Sequence, residues 1–297
     1  MKSVVVTGVS SGIGWGITKV LLQRGFRVLG SVRQAPDAQR LQAEFGPNFT
    51  PLLFDITDEA AVRRAAAEVE QLLGGDNLAG LVNNAGNALT GPLLFQPLAD
   101  FRQQLEVNLI GPLLVTQAFA PLLRAKGASQ AGRIVNMSSV GGRLGVPFLG
   151  AYVTAKHGLE GLSEVLRREL VIYGIDVIMV APGSVATATW DKAEAAAAKT
   201  QQLYAATPYA QPLQHFTSYM VADGRQGYPP EHIGEVVYTA LTTAKPRVRY
   251  AVVPQKFKNW ALPNLLPRRV VDRLVARQIG LTPALVPPTS APVAARS

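Results

Sequence analysis

Short runs of β-branched and other apolar residues alternate along the chain with longer segments that have helical spacing. Most of these runs are continuously apolar, which is typical of strands covered on both faces by crossover helices. The alternation predicts an α/β fold built on a parallel sheet. The runs occupy residues 3–7, 27–32, 50–54, 78–82, 133–137, 176–180 and 248–253.

The chain contains no cysteine among its 297 residues. A disulfide framework, a thiolate metal site and a cysteine nucleophile are therefore excluded. The three histidines, His157, His215 and His232, do not have the spacing of metal ligands, so we predict no metal. Apolar residues make up 48% of the chain and charged residues 16%, which indicates a globular protein.

The net charge of +9 is concentrated at the C-terminal end. The chain has 29 Lys and Arg against 20 Asp and Glu, and residues 240–297 hold ten of the basic residues and Asp272 alone, which leaves 19 of each sign in residues 1–239. This balanced main body disfavours a nucleic-acid partner. We predict one domain at 1–255 and a basic extension at 256–297. The proline-rich end predicts that roughly the last 15 residues are disordered.

The N-terminal residues carry no predicted targeting segment. The apolar run at 4–6 leads directly into Thr7 and Gly8, which leaves no room for the apolar core of a signal peptide. No uninterrupted apolar run reaches the roughly 18 residues that a membrane span requires. We therefore expect a cytoplasmic protein.

A glycine-rich turn follows the first predicted strand and reads Thr7-Gly8-Val9-Ser10-Ser11-Gly12-Ile13-Gly14. Glycines there let the backbone approach a pyrophosphate, and the following helix offers free N–H groups to it. The alternative is a tight turn with close packing of helix on sheet. After the first strand of such a series, the turn favours dinucleotide binding.

The end of the second strand indicates which dinucleotide binds. An acid there would bind the ribose hydroxyls, but the segment Ser31-Val32-Arg33-Gln34 has none. A guanidinium at Arg33 can pair with a 2′-phosphate instead. We therefore predict NADP(H) in preference to NAD(H), the alternative being that Arg33 is a solvated surface cation.

Polar residues also follow the third and fourth strands. Asp55, next to Ile56, can accept a hydrogen bond from an adenine amino group, and Asn83-Asn84-Ala85-Gly86 can steady the turn beneath a cofactor. Either segment can alternatively be a simple loop cap. Both lie at strand carboxyl ends, the edge where open α/β sheets bind ligands.

Tyr152 and Lys156 are four residues apart near the start of a predicted helix at 151–173, so their side chains share one face. A nearby ammonium is expected to lower the pKa of Tyr152 towards the range useful for proton transfer. Ser139, thirteen residues before Tyr152, can hydrogen-bond a substrate oxygen, and its neighbour Ser138 competes for that role. Such a Tyr-Lys pair can also be a solvated helix pair.

Taken with Asn108 and Pro182-Gly183-Ser184-Val185-Ala186-Thr187, these motifs resemble the short-chain dehydrogenase/reductase family over about residues 1–253. The resemblance implies a Rossmann-type doubly wound parallel sheet of seven strands with flanking helices. The residues that it and the motifs assign to the cofactor are Thr7, Gly8, Ser10, Ser11, Gly12, Ile13, Gly14, Arg33, Asp55, Ile56, Asn84, Ala85, Gly86, Tyr152, Lys156, Pro182, Gly183, Val185 and Thr187.

The resemblance also implies the catalytic roles. Tyr152 would be the general acid/base, and Lys156 would hold the nicotinamide ribose and tune Tyr152. Ser139 would orient the substrate oxygen, and Asn108 would anchor a water in a proton relay. Thr187 would hydrogen-bond the carboxamide, with Val185 beside it.

Ser139-Val140-Gly141-Gly142, with the tyrosine that follows, is similar to the hydroxysteroid and retinol dehydrogenase-like branch. This similarity favours Ser139 over Ser138. The branch also resembles this chain at Val32-Arg33, which again implies NADP(H).

The resemblance implies that the segment at 188–231 forms the substrate lid. Its aromatic content predicts a bulky apolar substrate such as a steroid, a retinoid or an aryl ketone. The alternative is that these side chains cover the core or a subunit contact. His215, Asp223 and Arg225 are candidates for a polar anchor. The large apolar residues of this segment are Trp190, Leu203, Tyr204, Tyr209, Leu213, Phe216, Tyr219, Met220 and Tyr228.

The basic extension contains a predicted amphipathic helix at 268–279. Its apolar face and its arginines are consistent with weak contact to an anionic membrane surface, with Trp260 as an interfacial anchor. The alternative, which we prefer, is a helix packed on the lid or on a partner subunit.

We therefore predict an NADP(H)-dependent oxidoreductase that interconverts a secondary alcohol and a ketone, or an alcohol and an aldehyde. The resemblance implies a homodimer or homotetramer built from helices such as 100–123 and 151–173. The alternatives are a catalytically silent NADP(H)-sensing regulator and an epimerase or dehydratase on the same scaffold.

Overall fold

The predicted strands form one parallel sheet. The computed structural model describes residues 1–255 and 260–282. The strands are β1 Ser3–Val6, β2 Arg27–Val32, β3 Phe49–Leu53, β4 Gly80–Asn83, β5 Arg133–Met137, β6 Asp176–Pro182 and β7 Arg249–Val252. Their order across the sheet is β3-β2-β1-β4-β5-β6-β7, and every pairing is parallel. The Rossmann-type doubly wound sheet of seven strands is confirmed.

Helices connect the strands and cover both faces of the sheet. A π-helical turn, Glu106–Ile110, joins the helices Leu98–Leu105 and Gly111–Leu123, and 3₁₀ turns lie at Val140–Gly142 and Leu170–Tyr173. The helices are α1 Gly12–Gln23, α2 Ala35–Phe45, α3 Glu59–Leu73, α4 Leu98–Leu105, α5 Gly111–Leu123, α6 Gly150–Glu169, α7 Thr189–Leu203, α8 Ala210–Arg225, α9 Pro230–Thr242, α10 Leu262–Leu265 and α11 Arg268–Ile279.

Two apolar layers enclose the sheet because successive residues of a strand point to opposite faces. Val4 and Val6 pack in the layer beneath α1 and α9, whereas Val5 packs in the layer beneath α3 and α5. Helices α1 and α9 approach closely at Gly16, where a Cβ atom would lie 2.5 Å from the Pro230 carbonyl carbon. The layers fix the strands and thereby the loops at their carboxyl ends.

The stretch Leu98–Leu123 is, in the described part of the chain, long and apolar enough to cross a membrane by length and hydropathy alone. It is interrupted by charged residues such as Asp100, and in the structure it packs against α3 and α6. Val115 and Phe119 are fully buried there. One face of the stretch therefore packs in the core of the domain.

A third apolar cluster joins the lid segment to the C-terminal helix. Tyr204, Leu213 and Phe216 are buried in it, and the packing alternative applies to Leu213, whereas Tyr204 and Phe216 also line the cavity described below. Ile279 of α11 is buried in the same cluster, and α11 contacts α8. The Arg249 guanidinium lies over the Trp260 ring, 4.3 Å from its centroid. These contacts favour the packed alternative for the C-terminal helix; the predicted disorder at the end of the chain lies outside the described residues.

Candidate active site

One cavity of about 2650 Å³ opens along the carboxyl edge of the sheet. Every predicted catalytic and cofactor-binding residue except Thr7 lines it. Thr7 lies just behind the cavity, where its hydroxyl accepts hydrogen bonds from the backbone N–H groups of Asn84 and Ala85, at 2.9 and 3.0 Å. Thr7 therefore ties the turn after β1 to the turn after β4. The structure brings the separate motifs of the sequence into one site.

The glycine-rich turn is compact enough that side chains are excluded from it. Gly8 and Gly12 have φ values of 71° and 61°, in the left-handed region that favours glycine. A Cβ atom at Gly14 would lie 2.1 Å from the Gly8 carbonyl oxygen. The Asn84 side-chain amide donates to the Thr7 and Gly8 carbonyl oxygens, at 2.8 and 3.0 Å. These hydrogen bonds from Asn84 fix the backbone of the glycine-rich turn.

The N-terminus of α1 fits the pyrophosphate of a dinucleotide. Ser11 is extended and, among the described residues, its side chain makes no capping hydrogen bond to the helix. The first N–H groups of α1 have no intrahelical acceptor, and Ser11, Gly12 and Ile13 line the cavity. Free N–H groups at the positive end of a helix dipole bind phosphate. The residues present therefore match the group that the sequence predicts.

Arg33 lies at the rim of this cavity and is 79% exposed. Its Nη1 is 3.9 Å from the Oδ2 atom of Asp55, which makes a weak ion pair. The other Asp55 oxygen accepts from the Thr57 backbone N–H and hydroxyl, at 2.9 and 2.8 Å. The loop-cap alternative thus describes one oxygen of Asp55, while the second faces Arg33. The Arg33 guanidinium retains exposed donors for an anion.

Two supporting residues of the nucleotide end escaped the sequence prediction. The Arg40 guanidinium donates to the Ser10 carbonyl oxygen at 2.8 Å, and the Ser31 hydroxyl accepts from the Gly8 N–H at 2.9 Å. Arg40 also pairs with Asp37 and Glu44 on its own helix, α2. The sequence signal for Arg40 was only this ordinary helical charge pattern, which does not reveal the contact with Ser10.

Ser139, Tyr152 and Lys156 come together in the middle of the cavity wall. The Lys156 Nζ donates to the Met137 carbonyl oxygen at 2.8 Å and lies 5.6 Å from the centre of the Tyr152 ring. The Ser139 hydroxyl accepts from the Gly141 N–H at 3.1 Å. The Ser138 hydroxyl instead donates to Glu160 at 2.6 Å. The geometry therefore favours Ser139 over Ser138 for contact with a substrate.

The ionisation of the pair differs from the sequence expectation. Burial raises the pKa of Tyr152 above its usual value, and a hydrogen bond with Ser139 offsets part of this effect. Burial also lowers the pKa of Lys156 to about 8. The expected lowering of the Tyr152 pKa by Lys156 is wrong for the chain alone, because desolvation of the phenolate outweighs an ammonium 5.6 Å from the ring centre.

Asn108 lies in the π-helical turn and is fully buried. Its amide nitrogen donates to the Gln104 and Asn87 carbonyl oxygens, at 3.0 and 2.9 Å. Its side-chain oxygen accepts from the Asn87 N–H at 3.3 Å. A Cβ atom at Gly86 would lie 2.8 Å from that oxygen. In the structure Asn108 braces the loop after β4, and its part in a proton relay stays a prediction.

The segment after β6 closes the cavity from the other side. The Gly183 N–H donates to the Val252 carbonyl oxygen at 2.9 Å, which fixes the segment to β7. The Thr187 side chain lies opposite Gly12, 3.6 Å from the place of a Cβ atom there. Thr187 therefore faces the N-terminus of α1, and Pro182 and Val185 line the same cavity.

The candidates for a polar anchor are placed differently from one another. Asp223 lines the cavity and accepts a hydrogen bond from Ser184. Arg225 pairs with Asp191 and Glu194 on the exposed surface, and the cavity lining does not include it or His215. Only Asp223 of the three is therefore in a position to meet a ligand.

The apolar part of the cavity uses the C-terminal helix as well as the lid segment. Phe216, Tyr219 and Met220 contribute from α8, and Leu203 and Tyr204 contribute from the end of α7. Helix α11 adds a wall that the sequence prediction did not assign to the site, with Val271, Leu274, Val275 and Ile279. The apolar stripe of the helix at 268–279 was its only sequence signal.

Comparisons with known proteins identify the family of the chain. The family model of short chain dehydrogenases matches residues 2–198. The chain belongs to the short-chain dehydrogenase/reductase family. It is an oxidoreductase of a family that uses nicotinamide cofactors, acts on small molecules and is typically oligomeric.

Its relatives cover nearly the whole chain. An NADPH-dependent 3-dehydrocapnine reductase from Ornithobacterium rhinotracheale is 36% identical over 94% of this chain and 98% of its own length. Retinol dehydrogenase 5 from Homo sapiens is 35% identical over 92% of this chain and 87% of its own. A solved short-chain dehydrogenase structure from Streptomyces avermitilis aligns with a TM-score of 0.73 and 27% identity, covering 95% of this chain and 98% of that one.

Proposed function

We propose that this chain is an NADP(H)-dependent reductase that converts a bulky apolar ketone or aldehyde into an alcohol, with Tyr152 as the general acid/base. The observation that carries the proposal is the placement of Tyr152, Ser139 and Lys156 in the same cavity as the glycine-rich turn and the N-terminus of α1. The catalytic groups and the nucleotide groups thus face one shared space, as a transfer between cofactor and substrate requires.

Each side chain has a role in the reaction. The glycine-rich turn, the N-terminus of α1 and Lys156 would hold a nicotinamide cofactor, which would supply the hydride that the carbonyl carbon receives. Tyr152 donates its phenolic proton to the carbonyl oxygen, so that a hydride and a proton together give the alcohol. Ser139 hydrogen-bonds the same oxygen and stabilises the charge that develops there. Lys156, held by the Met137 carbonyl oxygen, stabilises the tyrosinate left behind until it regains a proton.

The preference for NADP(H) favours reduction as the direction, and the ionisation of Tyr152 sets its pH dependence. A raised pKa keeps the phenol protonated, which is the form that donates a proton to a ketone. Alcohol oxidation requires the phenolate, which burial disfavours. The rate of reduction is therefore expected not to change with pH near neutrality as far as Tyr152 is concerned. It is expected to fall when the pH rises through the raised pKa of Tyr152.

The proposed preference for NADP(H) over NAD(H) rests on Arg33, at the rim of the part of the cavity near β2. Arg33 is exposed at the end of β2, where the sequence offers no acid for the ribose hydroxyls. Asp55 partly neutralises Arg33, but at 3.9 Å in an exposed pair the attraction is weak. A 2′-phosphate can compete for the guanidinium with bidentate hydrogen bonds. The NADPH dependence named for the bacterial relative supports the same choice.

The size and lining of the cavity support a bulky substrate. Its 2650 Å³ exceeds the roughly 300 to 1,000 Å³ of most single-ligand sites, so it has room for a dinucleotide together with a large second molecule. The walls from α8 and α11 are mainly apolar, with Phe216, Met220, Val271 and Leu274 among them. The retinol dehydrogenase among the relatives is named for a substrate of this kind.

The proposal includes a homo-oligomer and a cytoplasmic location. Ile110, Val165, Val171 and Ile172 are exposed apolar side chains on or next to the helices predicted to form a subunit contact. Such exposed side chains on neighbouring helices suit an interface with a second copy. We do not extend the proposal to a membrane surface, because α11 packs on α8.

The first test is a fluorescence titration of the protein with NADPH and with NADH. Arg33→Ala is compared with wild type, and Arg63→Ala on the surface of α3 is the matched control, since Arg63 pairs only with Glu59 of its own helix among the described contacts. We expect tighter binding of NADPH than of NADH, and loss of this preference in Arg33→Ala alone. Equal binding of both nucleotides would refute the assignment of Arg33.

The second test screens bulky and small ketones with NADPH by loss of absorbance at the nicotinamide band. We expect turnover of bulky apolar ketones by wild type and none above background by Tyr152→Phe. Nucleotide binding without turnover of any ketone or alcohol would favour the silent regulator.

A further inference from the structure

We propose that the buried ion pair of Glu160 with Arg249 is a positioning device for the catalytic serine and tyrosine, rather than a general stabiliser of the fold. The inference rests on the proposed function for the role of Ser139 and Tyr152. Neither charged residue was assigned to the site from the sequence, and neither lines the cavity itself.

Glu160 and Arg249 form a close ion pair, and both side chains are largely buried. The Arg249 Nε lies 3.1 Å from each carboxylate oxygen of Glu160. Their side chains are only 9% and 10% exposed. Burying two charges carries a desolvation cost that such a pair often fails to repay, so stability alone is a poor reason for its presence.

Glu160 shares a helix face with the catalytic residues. It follows Tyr152 by eight residues and Lys156 by four on α6, and side chains at this spacing lie above one another. Lys156 and Glu160 both reach the end of β5: Lys156 donates to the Met137 carbonyl oxygen, and Glu160 accepts from the Ser138 hydroxyl at 2.6 Å. The helix that carries Tyr152 is thereby linked to the end of β5, two residues before Ser139.

Arg249, on β7, adds a contact with the backbone of Ser139. Its Nη2 lies 3.5 Å from the Ser139 carbonyl oxygen, at the limit of a hydrogen bond. The Trp260 ring lies against the same guanidinium and shields it from water. The neighbouring residue Gly142 has no room for a side chain. A Cβ atom there would lie 2.6 Å from the Ser138 hydroxyl oxygen and 3.0 Å from Glu160 Oε1.

The charges around Glu160 come from three elements. Arg249 faces it from β7, and Arg143, which follows the 3₁₀ turn, lies 3.6 Å away with a half-exposed side chain. Lys156 lies one turn earlier on α6 and also faces Tyr152, as does the Ser139 hydroxyl. Loss of Arg249 leaves the buried Glu160 carboxylate with the half-exposed Arg143 as its remaining ion-pair partner among the described residues. Neutralising Glu160 leaves the buried Arg249 guanidinium without its carboxylate.

These two changes act on Tyr152 in opposite directions. Eight residues of helix put Glu160 about 12 Å from Tyr152 along the axis. At that distance and an effective dielectric constant of about 20, one uncompensated charge changes the pKa of the phenol by about one unit, or tenfold in its ionisation constant. A negative charge raises the pKa, because it disfavours the phenolate, and a positive charge lowers it.

The test measures Tyr152 without substrate or nucleotide. Protein labelled with ¹³C at the tyrosine Cζ is titrated by NMR, and the Tyr152 resonance is identified by its absence in Tyr152→Phe. The variants are Arg249→Met, Arg249→Lys, Glu160→Gln and the double variant Glu160→Gln with Arg249→Met. The matched controls are Glu59→Gln and Arg63→Met, the two halves of an exposed pair on α3.

We expect the Tyr152 pKa to rise by about one unit in Arg249→Met, to fall by about one unit in Glu160→Gln, and to return close to wild type in Arg249→Lys and in the double variant. In ketone reduction, each charge-removing single variant is expected to lose about tenfold in kcat with an unchanged KM for NADPH, since a small displacement of catalytic groups is costly. The double variant remains informative if Arg249→Met fails to fold, because it buries no unpaired charge.

Equal pKa values in all variants, or shifts of the same size in the controls, would overturn the inference. So would a fall in kcat that follows only the loss of folded protein. Opposite shifts without any ketone turnover in wild type would support the positioning role and refute the proposed reaction, so the two failures are distinct.

Discussion

Removal of the Lys156 ammonium is expected to stabilise the fold while it abolishes activity. Lys156 is 5% exposed, and burial lowers its pKa from 10.5 to about 8. At 1.36 kcal/mol per pKa unit, the buried charge costs about 3 kcal/mol of stability at pH 7. Lys156→Met removes this cost but leaves the Met137 carbonyl oxygen without its donor, a loss of about 1 kcal/mol. The net gain is about 2 kcal/mol.

The gain depends on pH in a defined direction. The folded-state pKa lies below the unfolded value, so the unfolded chain binds more protons between pH 8 and 10.5 and wild type gains stability as the pH rises through this window. Below pH 8 the cost is fully present. The advantage of Lys156→Met is therefore expected to shrink to less than about 1 kcal/mol at pH 9.5.

Urea unfolding at pH 7 and pH 9.5, without nucleotide and at one protein concentration, measures both quantities. Lys126→Met is the control, since Lys126 is an exposed lysine in the loop before β5 and its removal is expected to leave the difference between the two pH values unchanged. A Lys156→Met variant that is less stable than wild type at pH 7, by an amount that does not change with pH, would refute the argument from burial.

Three further predictions follow from the site. Tyr152→Phe is expected to lower kcat for ketone reduction by about 10² to 10⁴ while the Kd for NADPH, measured by fluorescence, changes less than about twofold; a matching loss of NADPH affinity would contradict its role as the acid. Gly14→Ala is expected to abolish NADPH binding in the same titration, because the new Cβ atom would lie 2.1 Å from the Gly8 carbonyl oxygen. Val275→Glu is expected to raise KM for bulky ketones about tenfold but not for small ones, since it places a charge in a half-buried apolar part of the cavity wall, whereas Arg269→Glu on exposed surface changes neither.

The sequence predicted the sheet and most of the site because those features depend on local patterns. The strands at 27–32 and 133–137 are found with the predicted bounds, since continuous apolar runs report burial on both faces. Boundaries differ where a turn decides them: the helix predicted at 151–173 runs from Gly150 to Glu169, because a 3₁₀ turn at Leu170–Tyr173 replaces its last residues.

Features that depend on contacts distant in sequence escaped prediction. Glu160 and Arg249 are 89 residues apart, and the sequence around neither residue indicates a buried ion pair. The burial of Tyr204 and Phe216 could not be separated from a cavity lining, because one aromatic pattern serves both purposes. The direction of the Tyr152 pKa was missed because the sequence shows a neighbouring lysine but not the loss of solvent around the phenol.

Helix α7 bears on how this enzyme can change its substrate range. None of its residues, all of which are in the described part of the chain, is buried, yet Ala193, Ala196, Ala197 and Thr200 face the cavity. Substitutions at exposed helix sites usually change stability by less than about 0.5 kcal/mol. Evolution can therefore enlarge these small side chains one at a time and reshape the substrate space at almost no risk to folding. Selection for a new ketone is expected to fix its first mutations in this helix.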